Sequence, residues 1–286
     1  MSVATLDRVK THTMHCMEIV GGNAAVDTAI SVPGIDARIV SWPHAGNAAG
    51  GDVHYVSLCG ARRLSRFAVA DVSGHGDAAG EIAARLRALM RKHINRIDQT
   101  HFVRKLNEEF TARSRKGSFA TALLATYYAP IEQLIVCNAG HPRPLWYRAA
   151  ERKWALLDHA APECLDSAAN LPLGIVAPTE YYQFAVPLAM DDLVLIFTDA
   201  VTEARGPGER QLGEDGLLDL VRMLDADDNA GFCPSLLDAL ADFRGGKPPE
   251  DDLTMVLLRH KAVNSPFPSP GEIARIVGAT LGLVKV

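Results

Sequence analysis

The chain has 286 residues, a formal net charge of −5, 48% hydrophobic and 22% charged residues. That length admits one large domain or two ordinary ones, and the apolar share is enough to bury a sizeable core. With no basic stripe or arginine-rich tail, nucleic acid is excluded as the primary partner. No apolar run approaches the roughly 20 residues needed to span a bilayer. Asp7, Arg8 and Lys10 stand where a secretory leader needs an apolar stretch, so a cytoplasmic protein is expected. The cysteines (Cys16, Cys59, Cys137, Cys164, Cys233) form no CxxC pair and are odd in number. Reduced thiols are expected rather than a zinc knuckle or a disulfide framework.

Residues 1–34 carry few signals and read as an N-terminal extension. Three short runs at 37–42, 53–58 and 64–70 are rich in β-branched and aromatic residues and are separated by turns, which predicts strands. After Asp71-Val72-Ser73-Gly74-His75-Gly76 the period changes. Ile82, Leu86, Leu89, Met90 and Ile94 recur at helical spacing. Asp98 then caps a second helix with an apolar stripe of Phe102, Val103, Leu106 and Phe110. Strand character returns at 119–128, 133–137 and 144–148. The run 193–197 is apolar throughout, as a strand buried on both faces requires. Residues 203–216 read as a polar loop, 217–224 and 235–243 as helices, and 253–258 as a last strand. A Pro/Ser linker at 264–270 leads to a short amphipathic segment with Ile273, Ile276, Val277 and Leu281. The order of elements predicts an α+β layered domain over 35–260, with 261–286 as linker and terminal helix.

Four acidic positions share one description: each sits at the end of an apolar strand, beside a turn. Asp52 follows Gly50-Gly51, Asp71 closes 67–70, Asp199 closes 193–197, and Asp251-Asp252 open 253–258. Strand ends let a rigid scaffold aim side chains into one cleft. Carboxylates gathered there repel one another unless a cation neutralises them. Oxygen ligands of this kind suit Mg²⁺ or Mn²⁺. Each aspartate taken alone is equally a turn former or a helix cap.

Taken together and in order, Gly50-Gly51-Asp52, Asp71-Val72-Ser73-Gly74-His75-Gly76, Asn138-Ala139-Gly140-His141-Pro142, Leu171-Pro172-Leu173-Gly174-Ile175, Phe197-Thr198-Asp199-Ala200-Val201-Thr202-Glu203 and Asp251-Asp252-Leu253-Thr254 resemble the PPM superfamily of metal-dependent protein phosphatases. The likeness is to its bacterial SpoIIE-type, RsbU-like branch and runs from about residue 34 to 260. It implies a four-layer α-β-β-α sandwich of two antiparallel sheets flanked by helices, with two Mn²⁺ or Mg²⁺ ions at one edge. On this resemblance Asp71 bridges both ions and the Val72 carbonyl binds the second. Asp199 and Asp251 complete the first, and Asp52 acts through water. The implied reaction is attack of a metal-bridging hydroxide on phosphoserine or phosphothreonine.

Three departures qualify the match. Val53-His54-Tyr55 follow Asp52 where an aromatic pair and a second Asp are usual, and Ala200 replaces a usual Gly. Ser73 occupies the position of the acid histidine of eukaryotic-type relatives, so His75 is read as a structural residue, and His141 as a turn residue. In this branch the helical pair over 78–117 contacts regulatory partners. The 34 residues ahead of the domain are too few for a sensor domain, so regulation in trans or through a homodimer is expected. The expected partner is a phosphoprotein, a STAS-type anti-sigma-factor antagonist being the leading candidate. Two other readings stand beside this one: a catalytically weak phosphatase fold that acts as a binding module, and a metal-dependent small-molecule phosphatase.

Overall fold

The computed structural model describes residues 10–59, 62–74, 76–93, 98–113, 117–158 and 169–261. Its strands are β1 (Thr11–Thr13), β2 (Ile19–Gly22), β3 (Val26–Val32), β4 (Ile35–Trp42), β5 (Asp52–Cys59) and β6 (Leu64–Val72). Then come β7 (Ala120–Tyr128), β8 (Gln133–Ala139), β9 (Leu145–Arg148), β10 (Lys153–Leu156), β11 (Gln183–Pro187), β12 (Leu193–Phe197) and β13 (Leu253–His260). Helices α1 (Asp77–His93) and α2 (Gln99–Arg113) follow β6. Helices α3 (Asp199–Thr202), α4 (Gly213–Arg222) and α5 (Phe232–Phe243) lie between β12 and β13.

The strands form two sheets, one of order β1-β3-β4-β13-β12-β9-β10 and one of order β11-β8-β7-β6-β5-β2. The pairings are antiparallel apart from β1 with β3. Period-two alternation divides each strand between two cores. Phe67 and Val69 of β6, Leu123 and Ala125 of β7, and Ile196 and Val256 of β12 and β13 face the space between the sheets. The alternate positions Ala68, Ala70 and Leu124 meet Leu86, Met90, Phe102 and Leu106 of α1 and α2. Leu195, Phe197 and Met255 meet Leu217, Leu236 and Leu240 of α4 and α5. The result is the expected α-β-β-α sandwich.

Asp98 caps α2 as its position predicts, accepting the His101 N–H at 3.0 Å. Other elements differ from the sequence reading. β1, β2 and β3 fall in the segment read as an extension, yet they add strands to both sheets. Ile30 and Val32 are buried between the sheets, and β3 pairs with β4 along its whole length. Strands of this kind are recruited by a neighbour's free edge rather than announced by their own pattern. α4 begins at Gly213, inside the segment read as a loop, with Glu214 and Asp215 in a first turn that favours negative charge. β13 runs two residues further than expected because His260 is buried between the Tyr127 hydroxyl and the Ala189 carbonyl, both at 2.8 Å. His75 and the terminal amphipathic segment lie outside the described residues. Cys16, Cys137 and Cys233 are free thiols.

Candidate metal centre

At one mouth of the inter-sheet space the inward-facing positions turn from apolar to polar in register. Val69 is followed two residues on by Asp71, Ile196 by Thr198 and Ile39 by Ser41, while Val256 is preceded by Thr254 and then Asp252. Because side chains alternate, these polar groups continue the inner face of each strand and converge from both sheets. Asp52 stands directly opposite Asp71 across β5 and β6, and Asp71 opposite Thr121 across β6 and β7.

Asp52 is 2% exposed and tied to the other sheet. Its Oδ2 accepts the Thr198 hydroxyl at 2.9 Å, and the Thr198 oxygen accepts the Thr254 N–H at 2.9 Å. Thr254 Oγ1 lies 2.8 Å from the Ser41 hydroxyl. The second oxygen of Asp52 is buried without a hydrogen-bond partner. Burial first, and then the charge of Asp71, hold its carboxyl well above the usual range.

Asp71 is pushed up to about 7 by burial and by the charges of Asp199, Asp251, Asp252 and Glu203. Asp199, at the start of α3, is raised by burial and by Glu203 and Asp251. Asp71, Asp199 and Asp251 are therefore close enough to repel one another. Among the described residues, no three acidic, histidine or cysteine side chains stand in ligating geometry. An orphaned buried carboxylate oxygen and an all-oxygen donor set fit a hard divalent cation.

The adjacent acids at 251 and 252 have separate tasks. Asp252 is 4% exposed and accepts the N–H groups of His44 at 2.6 Å and Gly51 at 2.5 Å. It anchors the loop ahead of β5. Asp251 is exposed, and its Oδ1 accepts the Asp252 N–H at 2.8 Å. The glycines follow from this packing: a Cβ at Gly50 would sit 2.5 Å from the Asp252 carboxylate. One at Gly51 would sit 3.0 Å from the Val72 carbonyl oxygen, which therefore faces a bare Cα. Asn23 braces the same loop, exchanging main-chain and side-chain bonds with Gly50 and reaching the Gly80 carbonyl in α1.

His141 is buried, with Nδ1 2.8 Å from the Thr121 hydroxyl, and its main chain exchanges bonds with the Asn138 amide. Burial pushes the imidazole down to about 3, so it is a neutral brace beneath Asp71's neighbour. The loop at 171–176 is fastened to α2. Asn107, 1% exposed, accepts the Gly174 N–H at 2.9 Å and donates to the Val176 carbonyl at 2.8 Å. Leu173 and Ala120 exchange N–H and C=O bonds beside Val72. Sequence reasoning missed Thr198, Glu203, Asp252 and Asn23. The first three lie inside motifs it singled out, and Asn23 left no signal.

A two-sheet sandwich flanked by helix pairs, with carboxylates at one mouth of the inter-sheet space, is the architecture of a PP2C-type phosphatase domain. The family model for stage II sporulation protein E (SpoIIE) matches residues 62–261, and the chain belongs to that family. It is 25% identical over 202 residues to the phosphoserine phosphatase RsbU of Bacillus subtilis, covering 68% of this chain and 55% of that protein. The chain thus spans about half the length of this curated relative. Its fold matches the RsbU and RsbW domains of Rv1364c from Mycobacterium tuberculosis, with TM-score 0.68, 22% identity and coverage of 91% of this chain and 70% of that one. It also matches the SiaA-PP2C domain of Pseudomonas aeruginosa, with TM-score 0.67, 18% identity and coverage of 79% and 86%. A more distant neighbour, the catalytic domain of the serine threonine protein phosphatase PstP (TM-score 0.55, 16% identity, coverage 80% and 99%), was crystallised with 2 manganese ions.

Proposed function

We propose that this chain hydrolyses phosphoserine or phosphothreonine on a regulatory phosphoprotein, and that a STAS-type anti-sigma-factor antagonist is the substrate class. The observation that carries the reading is the gathering of Asp71, Asp199 and Asp251 at the mouth between the sheets, where burial and the neighbouring charges raise Asp71 and Asp199. In this reading Asp71, Asp199, Asp251 and the Val72 carbonyl hold two Mn²⁺ or Mg²⁺ ions, with Asp52 contributing from behind through water. When bound, such ions offset the negative charge of a phosphoryl group and acidify water near neutral pH.

The chain's own residues do the rest. Asp52, locked by Thr198, stands directly opposite Asp71 with its carboxyl held well above the usual range, so it braces the site from behind. Asp252 and Asn23 hold the 44–51 loop with Gly51 packed closely against the Val72 carbonyl. Ser73, whose hydroxyl accepts the Phe119 N–H at 3.1 Å, fixes the turn after Asp71 rather than supplying a proton.

Purified chain with Mn²⁺ is expected to release phosphate from a phosphoserine peptide. Chelation or Asp199→Asn should each abolish release, a loss of about 10²-fold or more. Turnover that persists in Asp199→Asn, or that is absent at every Mn²⁺ concentration, would refute the reading.

A further inference from the structure

A cleft of about 190 Å³ is lined by Asp199, Glu203, Glu250 and Asp251 together with Arg205, Arg244 and Lys247. Arg244 follows the last turn of α5 and is only 7% exposed. Its Nε donates to the Lys247 carbonyl at 3.1 Å, while its Nη1 is buried without a hydrogen-bond partner. The other two cations are balanced: Arg205 faces Glu250 at 3.3 Å and Lys247 faces Glu209 at 3.8 Å. Among the described residues no carboxylate within ion-pair distance of Arg244 is recorded.

Arginine is rarely buried unless paired, and a stranded donor costs free energy that an incoming acceptor recovers. The cleft is smaller than the roughly 300 Å³ at which cofactor pockets begin, and suits a single side chain. A guanidinium's fork of N–H groups matches a carboxylate. Asp199, Glu203 and Asp251 line the same cleft, so it welcomes a further anion only when those carboxylates are neutralised.

Resting on the phosphoprotein reading above, we propose that this cleft takes an acidic side chain flanking the phosphorylated residue of the substrate, with Arg244 as its partner. Arg244 is then a specificity residue for an acidic phosphopeptide, acting next to the reacting group and not on it.

The test uses the full chain with Mn²⁺ and paired phosphoserine peptides that differ only by Glu or Gln at successive flanking positions, with p-nitrophenyl phosphate as the comparator. At one position Glu should be favoured about tenfold in kcat/KM, mainly through KM. Arg244→Gln should bring the Glu and Gln peptides to within about twofold of each other, and Arg244→Lys should restore part of the preference. Thermal melting of both variants reports whether the end of α5 is intact. No Glu preference in the parent, or a preference retained in Arg244→Gln, overturns the proposal. So does an equal fall on peptides and on p-nitrophenyl phosphate, which would assign Arg244 to the phosphoryl group or to the fold. If no substrate turns over, the phosphatase reading fails by itself. Fluorescence anisotropy with the same labelled peptides then decides the cleft by the same Glu-over-Gln criterion.

Discussion

Asp71→Asn should stabilise the metal-free protein at alkaline pH, although it removes a proposed metal ligand. An ordinary aspartate ionises near 3.8, and here ionisation is delayed to about 7, chiefly by burial and then by Asp199, Asp251, Asp252 and Glu203. For an acid whose folded pKa is raised, the penalty is absent below the unfolded value. It grows between about 4 and 7 and is full above the folded value. The difference corresponds to about 4 kcal/mol at pH 8, as an upper bound, since the chain can relax around the charge. The histidines oppose this trend in the parent. His54 and His141 are held down to about 4 and about 3, so falling pH through 6.5 favours the unfolded chain. The informative quantity is therefore the difference between Asp71→Asn and the parent, in which the histidine contributions cancel. Urea unfolding in chelator should show the variant more stable by about 2–4 kcal/mol at pH 8, with the gap closing towards pH 4. A gap that is independent of pH, or a less stable variant at pH 8, would refute the electrostatic account of the cluster. Saturating Mn²⁺ should reverse the order, because only the parent gains the full binding free energy.

Two further substitutions probe the scaffold. Gly50→Ala drives a Cβ to within 2.5 Å of the buried Asp252 carboxylate; urea unfolding should show a loss of about 1–3 kcal/mol, and Mn²⁺ affinity should fall as Asp251 shifts with its neighbour. Asn107→Ala strands the Gly174 N–H and removes one of two donors from the Val176 carbonyl, which keeps the Thr179 hydroxyl. It should cost about 1–3 kcal/mol, with faster hydrogen exchange at Gly174 than in the parent.

Much of this protein was legible in one dimension. The alternation of Phe67, Val69 and Asp71, and the unbroken apolar run of β12, are local patterns that the pleat converts directly into faces. Asp98 marked a helix start because a cap acts within three residues of itself. The motifs carrying Asp52, Asp71, Asp199 and Asp251 identified the family because their order along the chain is itself information.

What one dimension left open is set by contacts between segments far apart in the chain. Which of Asp251 and Asp252 stays exposed depends on which carboxylate the loop at His44 and Gly51 captures, some 200 residues upstream. Thr198 acquires its task only when β12 lies against β13 and opposite β5. β3 and β2 become strands because β4 and β5 offer them edges, and β1 because β3 then offers one. Asn23 and Arg244 show no sequence pattern at all, because burial is a property of the packed chain, and burial turns an amide into a brace and a guanidinium into a donor awaiting a partner. The sequence by itself determined the family, the layered fold and the acidic strand ends. The tertiary structure alone decided how the charges divide between holding the site together and facing what enters it, since electrostatic coupling depends on distance in space and not along the chain.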